Sequence, residues 1–226
     1  LVFENSYQLL YSQRPDFIHA EEEKFRSACK AAGPHPWGWF PEAFCFQKNP
    51  RLLEPGEFRL QTLLALSHGI KAVAYFTYGG MKSAKMLGFE ASPPLLTEIK
   101  QVNKDLKKLE PLFGSALPLF SETVGDKRTG LRVSGLWSGE KDSLALVVAN
   151  LDYQTDRKPN LGLEPRFKIK PKENVRVSID KPAWLTMGTA ADALTGEKVA
   201  AQVKGAQIEL EMGRIELGRI IRIQAK

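Results

Sequence analysis

The stretch PWGWFPEAF (Pro36–Phe44), a loop, and then FRLQTLLALSHGIKAVAYFTYGG (Phe58–Gly80) decides how this chain folds. Its order is strand, loop, helix, strand. The helix has a clear stop, because Gly69 follows the apolar run Leu60, Leu63, Leu64 and Leu66, and glycine tolerates the left-handed backbone that ends a helix. Ile70 to Tyr78 is rich in β-branched and aromatic residues and long enough for one buried strand. In a parallel α/β sheet or barrel, ligands meet the protein at the C-terminal ends of the strands. Glu42, just beyond the first strand, therefore stands where a catalytic acid would stand.

Outward from this stretch, the same alternation continues as far as Phe113. Leu1 to Phe3 reads as a strand end, and AEEEKFRSACKAA (Ala20–Ala32) as a helix closed by Gly33. Pro36 to Phe40 is the second strand, Glu57 to His68 the second helix and Ile70 to Tyr78 the third strand. Ser92 caps a third helix that begins at Pro93 and Pro94 and carries Leu95, Ile99, Val102, Leu106 and Leu109 on one face. Three βα units in succession indicate a parallel sheet with crossover helices. They cannot close a barrel alone, since a (β/α)₈ barrel needs about 250 residues.

After Pro111 the period changes. Leu131–Ser138, Ser143–Leu151, Arg166–Ile169, Val175–Ile179, Ala183–Met187, Lys198–Val203, Gln207–Glu211 and Gly218–Gln224 are short apolar or alternating runs punctuated by Gly, Pro, Asn and Asp. Such spacing predicts an antiparallel sandwich. Leu112 to Thr123 reads as a packed junction. The expected organisation is α/β plus all-β, with residues 1–113 as one domain and 114–226 as a β-sandwich.

Bulk properties restrict the function classes. The chain has 226 residues, 43% hydrophobic and 26% charged, an ordinary globular composition. The net charge of +6 is spread along helix faces and strands with acidic residues interleaved, so no nucleic-acid footprint is present. No apolar run approaches a membrane span. Cys29 and Cys45 read as two free thiols, and neither has metal-site spacing. No phosphate loop or serine nucleophile elbow is found, and no cofactor or metal is expected. The chain begins at Leu1 directly on a strand-like run and reads as cut from something longer.

Taken together, PWGWFPEAF, RLQTLLALSHGIKAVAYFTYGG, LLTEIKQVNKDLKKLEPLF, the later DALTGEKV and the final IELEMGRIELGRIIRI resemble the C-terminal part of a TIM-barrel glycoside hydrolase. The resemblance is to the large clan of retaining glycosidases that includes bacterial-type β-galactosidases, and it covers nearly the whole chain. It implies that these are the last three βα units of a (β/α)₈ barrel, with Val2 and Phe3 on strand six, Trp37 to Phe40 on strand seven and Ala72 to Tyr78 on strand eight. It further implies a missing N-terminal barrel segment, an oligo- or polysaccharide substrate, no nucleic-acid or membrane partner, and a secreted or periplasmic setting. The clan's nucleophile lies at the end of strand seven, where Glu42 fits; its general acid, usually within Asn-Glu at the end of strand four, is outside this sequence.

The candidate residues follow. Glycoside hydrolysis needs two carboxyl groups flanking the bond. Pro41 has no backbone donor, so the strand should end near Phe40 and leave Glu42 on the rim; the plainer alternative is a solvated glutamate or a partner for Lys48 or Arg51. Glu4 is the second carboxylate, at another strand end, to orient the first or to act itself; the plainer alternative is a turn cap. Asn5 and Tyr7 beside it could bind sugar hydroxyls. Trp37, Trp39, Phe44, Phe46, Tyr75 and Tyr78 concentrate aromatic rings, whose faces suit sugar C–H groups. Of these, Trp39, Phe44 and Tyr78 are assigned to the pocket, and Trp37 and Tyr75 to core. His68 is expected to cap its helix, with His19 and His35 structural. The function expected is a two-carboxylate glycosidase, of which this chain is a C-terminal part, with a non-catalytic carbohydrate-binding barrel protein as the alternative.

Overall fold

The computed structural model describes residues 2–4, 16–48, 50–139 and 142–226. By their contacts the residues form two units, 1–104 with 153–168, and 105–152 with 169–226.

In the first unit, three short strands lie parallel: β1 (Val2–Glu4), β2 (Trp37–Trp39) and, after the antiparallel β3 (Phe44–Phe46), β4 (Ala72–Val73). Their order in the sheet is β1-β2-β4, with Glu4 opposite Trp39 and Trp39 opposite Val73. Helix α1 (Phe17–Ala32) connects β1 to β2. It starts three residues before the run expected from sequence and ends at Gly33, whose φ of 57° is the left-handed stop. Phe17, Ile18, Ala20 and Phe25 are buried, and so are Glu21 and Glu22. Helix α2 (Pro55–Ser67) connects β3 to β4. Pro55 occupies its first turn, where a missing N–H costs nothing. Glu57 reaches back to accept the Glu54 backbone N–H at 2.8 Å, one half of a capping box. The helix is buried almost all round, including Phe58, Leu60, Leu63, Leu64 and Leu66, as a helix inside an α/β layer should be. His68 is its C-cap and Gly69 adopts φ 77°, so the stop read from sequence is where it was expected.

Strand β4 is much shorter than the nine-residue run suggested. Lys71 and Ala74 donate to Trp37 and Trp39 carbonyls at 2.9 and 3.0 Å, after which the ladder lapses. Pro41 supplies no N–H at that point, and pairing resumes only as an isolated parallel bridge between Glu42 and Phe76. Strand β3 pairs antiparallel with β5 (Met86–Gly88), a two-stranded element that the sequence presented only as loop. Helix α3 (Pro93–Phe113) is longer than expected and buries Leu95, Ile99, Val102 and Leu109. Ser92 Oγ accepts from Leu95 N–H at its start.

Residues 153–168 join the first unit through a buried polar web that the sequence did not reveal. Arg51, 1% exposed, donates to Glu57 at 2.5 Å, to Thr155 at 3.1 Å and to the Asp156 carbonyl at 3.0 Å. The Glu54 carboxylate accepts the N–H groups of Arg166 and Phe167 at 2.7 and 2.8 Å. Asn160 brackets Leu52, accepting from its N–H and donating to its carbonyl. At Gly56 a Cβ would sit 2.5 Å from the Phe167 ring, so a larger residue would have to push that ring aside.

The second unit is antiparallel. A five-stranded sheet has the order β12-β15-β8-β7-β6. Its strands are β6 (Leu117–Val124), β7 (Leu131–Ser138), β8 (Ser143–Asn150), β12 (Met187–Asp192) and β15 (Gly218–Ala225). A three-stranded sheet has the order β11-β14-β13, from β11 (Lys172–Asp180), β13 (Ala200–Lys204) and β14 (Gln207–Ile215). The short pair β9 (Tyr153–Gln154) and β10 (Lys168–Ile169) completes the strand inventory among the described residues. Leu144, Leu146, Val148, Ile221 and Ile223 of the larger sheet share one core with Val177, Ile179, Ile208, Leu210 and Met212 of the smaller. Two sheets closing on a common apolar core form a sandwich. The chain is thus α/β plus an all-β sandwich, as its two periods suggested. Two local readings are corrected: Ala183–Thr186 is loop, with the strand beginning at Met187, and the supposed junction contains β6. The DALTGEKV motif is a turn. Asp192 Oδ1 accepts the N–H groups of Leu194 and Thr195, and Arg219 donates to its other oxygen at 3.0 Å.

Candidate active site

The two expected carboxylates lie at or just past the ends of neighbouring parallel strands of the first unit. Glu4 closes β1, and its carbonyl accepts the Phe40 N–H at 3.0 Å. Glu42 lies three residues beyond Trp39, past Pro41 and past the end of the adjacent strand β2. Both therefore sit at C-terminal ends of neighbouring parallel strands, the edge at which α/β sheets bind ligands. Glu42 is 3% exposed, so it is not the solvated loop glutamate of the plainer reading. Its charge is felt by Cys45, whose thiol is pushed up to about 11, first by burial and then by Glu42. Burial also raises the carboxyl of Glu4 above its ordinary range, with Lys24 pulling it partly back.

The aromatic residues divide differently from expectation. Trp39 is wholly buried, its indole N–H donating to Glu21 Oε1 at 2.9 Å and its ring meeting Phe25 edge-on at 5.1 Å and Phe58 in a stack at 6.2 Å. Trp37 is buried beside it, near Phe25, and donates to the His68 carbonyl at 3.1 Å. Alternation along a strand puts both tryptophans on one face, and that face packs on helices; Trp39 belongs with Trp37 in the core. Phe44 is buried too, meeting Phe46 and Phe76 edge-on at 6.2 and 5.6 Å. Tyr78 is 58% exposed with its ring edge-on to buried Phe89 at 5.3 Å. Tyr75, assigned to core, donates to Asn103 at 2.7 Å, and burial raises its phenol to about 12. Asn5 and Tyr7 lie outside the described residues.

Two neighbours of this edge escaped the sequence reading. Phe76 is partly exposed and shares the bridge with Glu42; the alternation of Phe76 and Tyr78 in YFTY was its available signal. Glu90 comes to Tyr78 through a 3.3 Å backbone hydrogen bond, and its carboxylate lies 3.4 Å from where a Cβ on Gly79 would be. No local pattern marks that residue, because a two-stranded element and a turn bring it back. Among the described residues no group of three or more His, Cys, Asp or Glu side chains could hold a metal. Among the described residues no helix is long and apolar enough to cross a membrane. Cys29 and Cys45 are free thiols.

No family model matches the chain. No curated protein matches it. Solved structures do. The alpha-fucosidase of Thermotoga maritima aligns at a TM-score of 0.50 and 11% identity over 85% of this chain and 40% of its own. An alpha-L-fucosidase of family GH29 from Bacteroides thetaiotaomicron aligns at 0.47 and 11% over 99% and 42%. Alpha-L-fucosidase isoenzyme 2 of Paenibacillus thiaminolyticus aligns at 0.36 and 10% over 66% and 22%. At these identities the likeness is one of fold, carried by the Thermotoga enzyme, and none of the three is a β-galactosidase. The chain spans about two fifths or less of the length of these structures.

Proposed function

We propose that this chain is the C-terminal part of a glycoside hydrolase, its parallel strands belonging to a (β/α)₈ barrel whose remaining strands come from a further N-terminal segment. The observation that carries this is a buried carboxylate, Glu42, just past the C-terminal end of one parallel strand, with a second carboxyl, Glu4, at the end of the neighbouring strand, where burial raises its pKa. Glycoside hydrolysis uses a carboxyl that holds its proton to protonate the leaving oxygen and an ionised one to attack or to activate water. Glu42 has the position of the nucleophile, and Glu4, whose carboxyl burial raises, is the candidate second group that orients it or acts itself. The likeness to fucosidases supports the fold this reading needs, and the substrate class is an oligo- or polysaccharide. Tyr78, with its ring held by Phe89 and its face open, supplies a surface for a sugar ring.

In the protein that carries this chain, Glu42→Gln is expected to lower glycoside turnover by about 10²–10⁴-fold while substrate affinity stays within a few-fold. Unchanged turnover with unchanged binding would move the protein to the alternative, a carbohydrate-binding barrel without chemistry. Glu4→Gln tests the second group: a turnover loss smaller than that of Glu42→Gln is expected if Glu4 orients the nucleophile, and a comparable loss if it acts itself.

A further inference from the structure

The outer face of the three-stranded sheet is hollow. Arg176, Glu211 and Ala200 lie in one cross-strand row, and Ser178, Glu209 and Gln202 in the next. Every second residue of β11 from Val175 to Ile179 points into the sandwich core, so Arg176 and Ser178 point outward, as do Glu209 and Glu211 of β14. Ala200 is the smallest side chain in these rows and leaves an open concavity of about 570 Å³ between its neighbours. That volume lies within the range of small-ligand sites, roughly 300–1,000 Å³.

The polar groups around the hollow pair with one another. Arg176 pairs with Glu211 at 3.2 Å, Lys204 with Glu209 at 2.6 Å, and Gln202 donates to Glu209 at 3.3 Å. Hydrogen bonds from Lys204 and Gln202 help hold the Glu209 carboxyl below its usual range, so it stays an acceptor at neutral pH. The charges cancel, two cations against two carboxylates, and no exposed large apolar side chain lines the hollow. A phosphate backbone would meet no net positive field there. An apolar peptide would find nothing to bury. A shallow hollow lined by donors and acceptors at zero net charge matches a neutral polyhydroxyl chain, whose every hydroxyl both donates and accepts. At one end of this sheet the Lys181 backbone N–H donates to the Ala206 carbonyl, and the loop it begins carries Trp184, 40% exposed, an aromatic surface for a sugar.

We infer that the outer face of the β11-β14-β13 sheet is a binding site for a neutral glycan chain, separate from the Glu42 carboxylate and independent of whether that group is catalytic. The test is titration of the isotopically labelled full chain with cellohexaose, xylohexaose and mannohexaose, with tripolyphosphate as the charged control, followed by NMR. Saturable shifts are expected for at least one hexasaccharide in the amides of β11, β13 and β14 and the side-chain amide of Gln202, with Kd near about 1 mM. Gln202→Ala should weaken binding about tenfold. Ala200→Ile, which fills the hollow on an exposed strand position that favours β-branched residues, should abolish it while the spectrum of the sandwich core stays unchanged. No shift with any hexasaccharide, shifts confined to tripolyphosphate, or unaltered binding in the Ala200→Ile protein would each overturn the inference.

Discussion

Charged residues do opposite work in the two units. Around Arg51 in the first, a guanidinium and two glutamates are withdrawn from water beside a half-buried threonine, and each polar atom meets a specific partner. Across the outer face of the three-stranded sheet in the second, the same kinds of residue pair in full contact with solvent: Arg176 and Glu211 are 80% and 58% exposed. A pair in water contributes little because the solvent already satisfied both charges. A buried pair also need not add net stability, since desolvation offsets the attraction, but removing one member leaves an unmatched charge in a medium that cannot solvate it. The web at Arg51 is therefore a device of specificity, tying residues 153–168 to one place, whereas the sandwich depends on the alternation of apolar and polar positions.

The sharpest break of this comparison is Arg51→Ala. Glu57 is fully buried, burial pushing its carboxyl up while Arg51, Thr155 and the Glu54 N–H pull it back. Without Arg51 the structure should lose about 3–5 kcal/mol of stability, read as the urea midpoint of the chain. The double variant Arg51→Met with Glu57→Leu should cost far less than the single one. If both cost the same, the web is an ordinary set of additive contacts and the contrast drawn above fails.

In the sandwich the corresponding break is apolar. Leu146→Ala removes a side chain that is 0% exposed in the shared core, and about 2–5 kcal/mol is expected from lost transfer energy and the cavity left behind. Ser178→Ala on the outer face of β11 should change the midpoint by less than about 0.5 kcal/mol. Similar losses at both positions would mean that the two faces of the sheet are not distinguished as the burial pattern says.

These regions also differ in how far the sequence disclosed them. The alternation of Val175, Val177 and Ile179, or of Ile208, Leu210 and Met212, is a local property with period two, and it was readable. So was the stop of α2 at Gly69, because a glycine after an apolar run has one economical use. The Arg51 web was not, since Thr155 lies 104 residues further along the chain and nothing near Arg51 announces it. Trp39 was placed on the wrong side for a related reason. Alternation says that Trp37 and Trp39 share a face, but which face meets the helices depends on Phe25 and Phe58 from elsewhere. The lapse of the ladder before Glu42 was legible through Pro41, which supplies no N–H; the approach of Glu90 to Tyr78 was not, because only the return of β5 brings it there.

Alkaline pH tests the buried groups of the first unit together. The Cys45 thiol stands near 11 instead of 9.0, and the Tyr75 phenol near 12 instead of 10.0. A folded-state value above the unfolded one means that folding retains the proton, so the contribution is complete below pH 9 and is lost as pH rises towards 11 and 12. The urea midpoint should be level in pH between 7 and 8.5 as far as these groups decide it, then fall. Cys45→Ala should delay the onset of that fall, and an unchanged onset would show that the thiol is not held protonated by its surroundings.

The smallest effect is expected on the outer sheet face. Arg176→Ala removes one side of an ion pair that water screens on both flanks, and the midpoint should move by no more than about 0.5 kcal/mol, with the difference vanishing in 1 M salt. The value of this measurement lies in its contrast with Arg51→Ala, an identical chemical deletion. A loss at Arg176 approaching that at Arg51 would show that exposure does not decide what a charge is worth in this chain. A negligible loss would agree with Arg176 being kept on that face for what it can bind and not for stability, which the hexasaccharide titration of the same variant can then test directly.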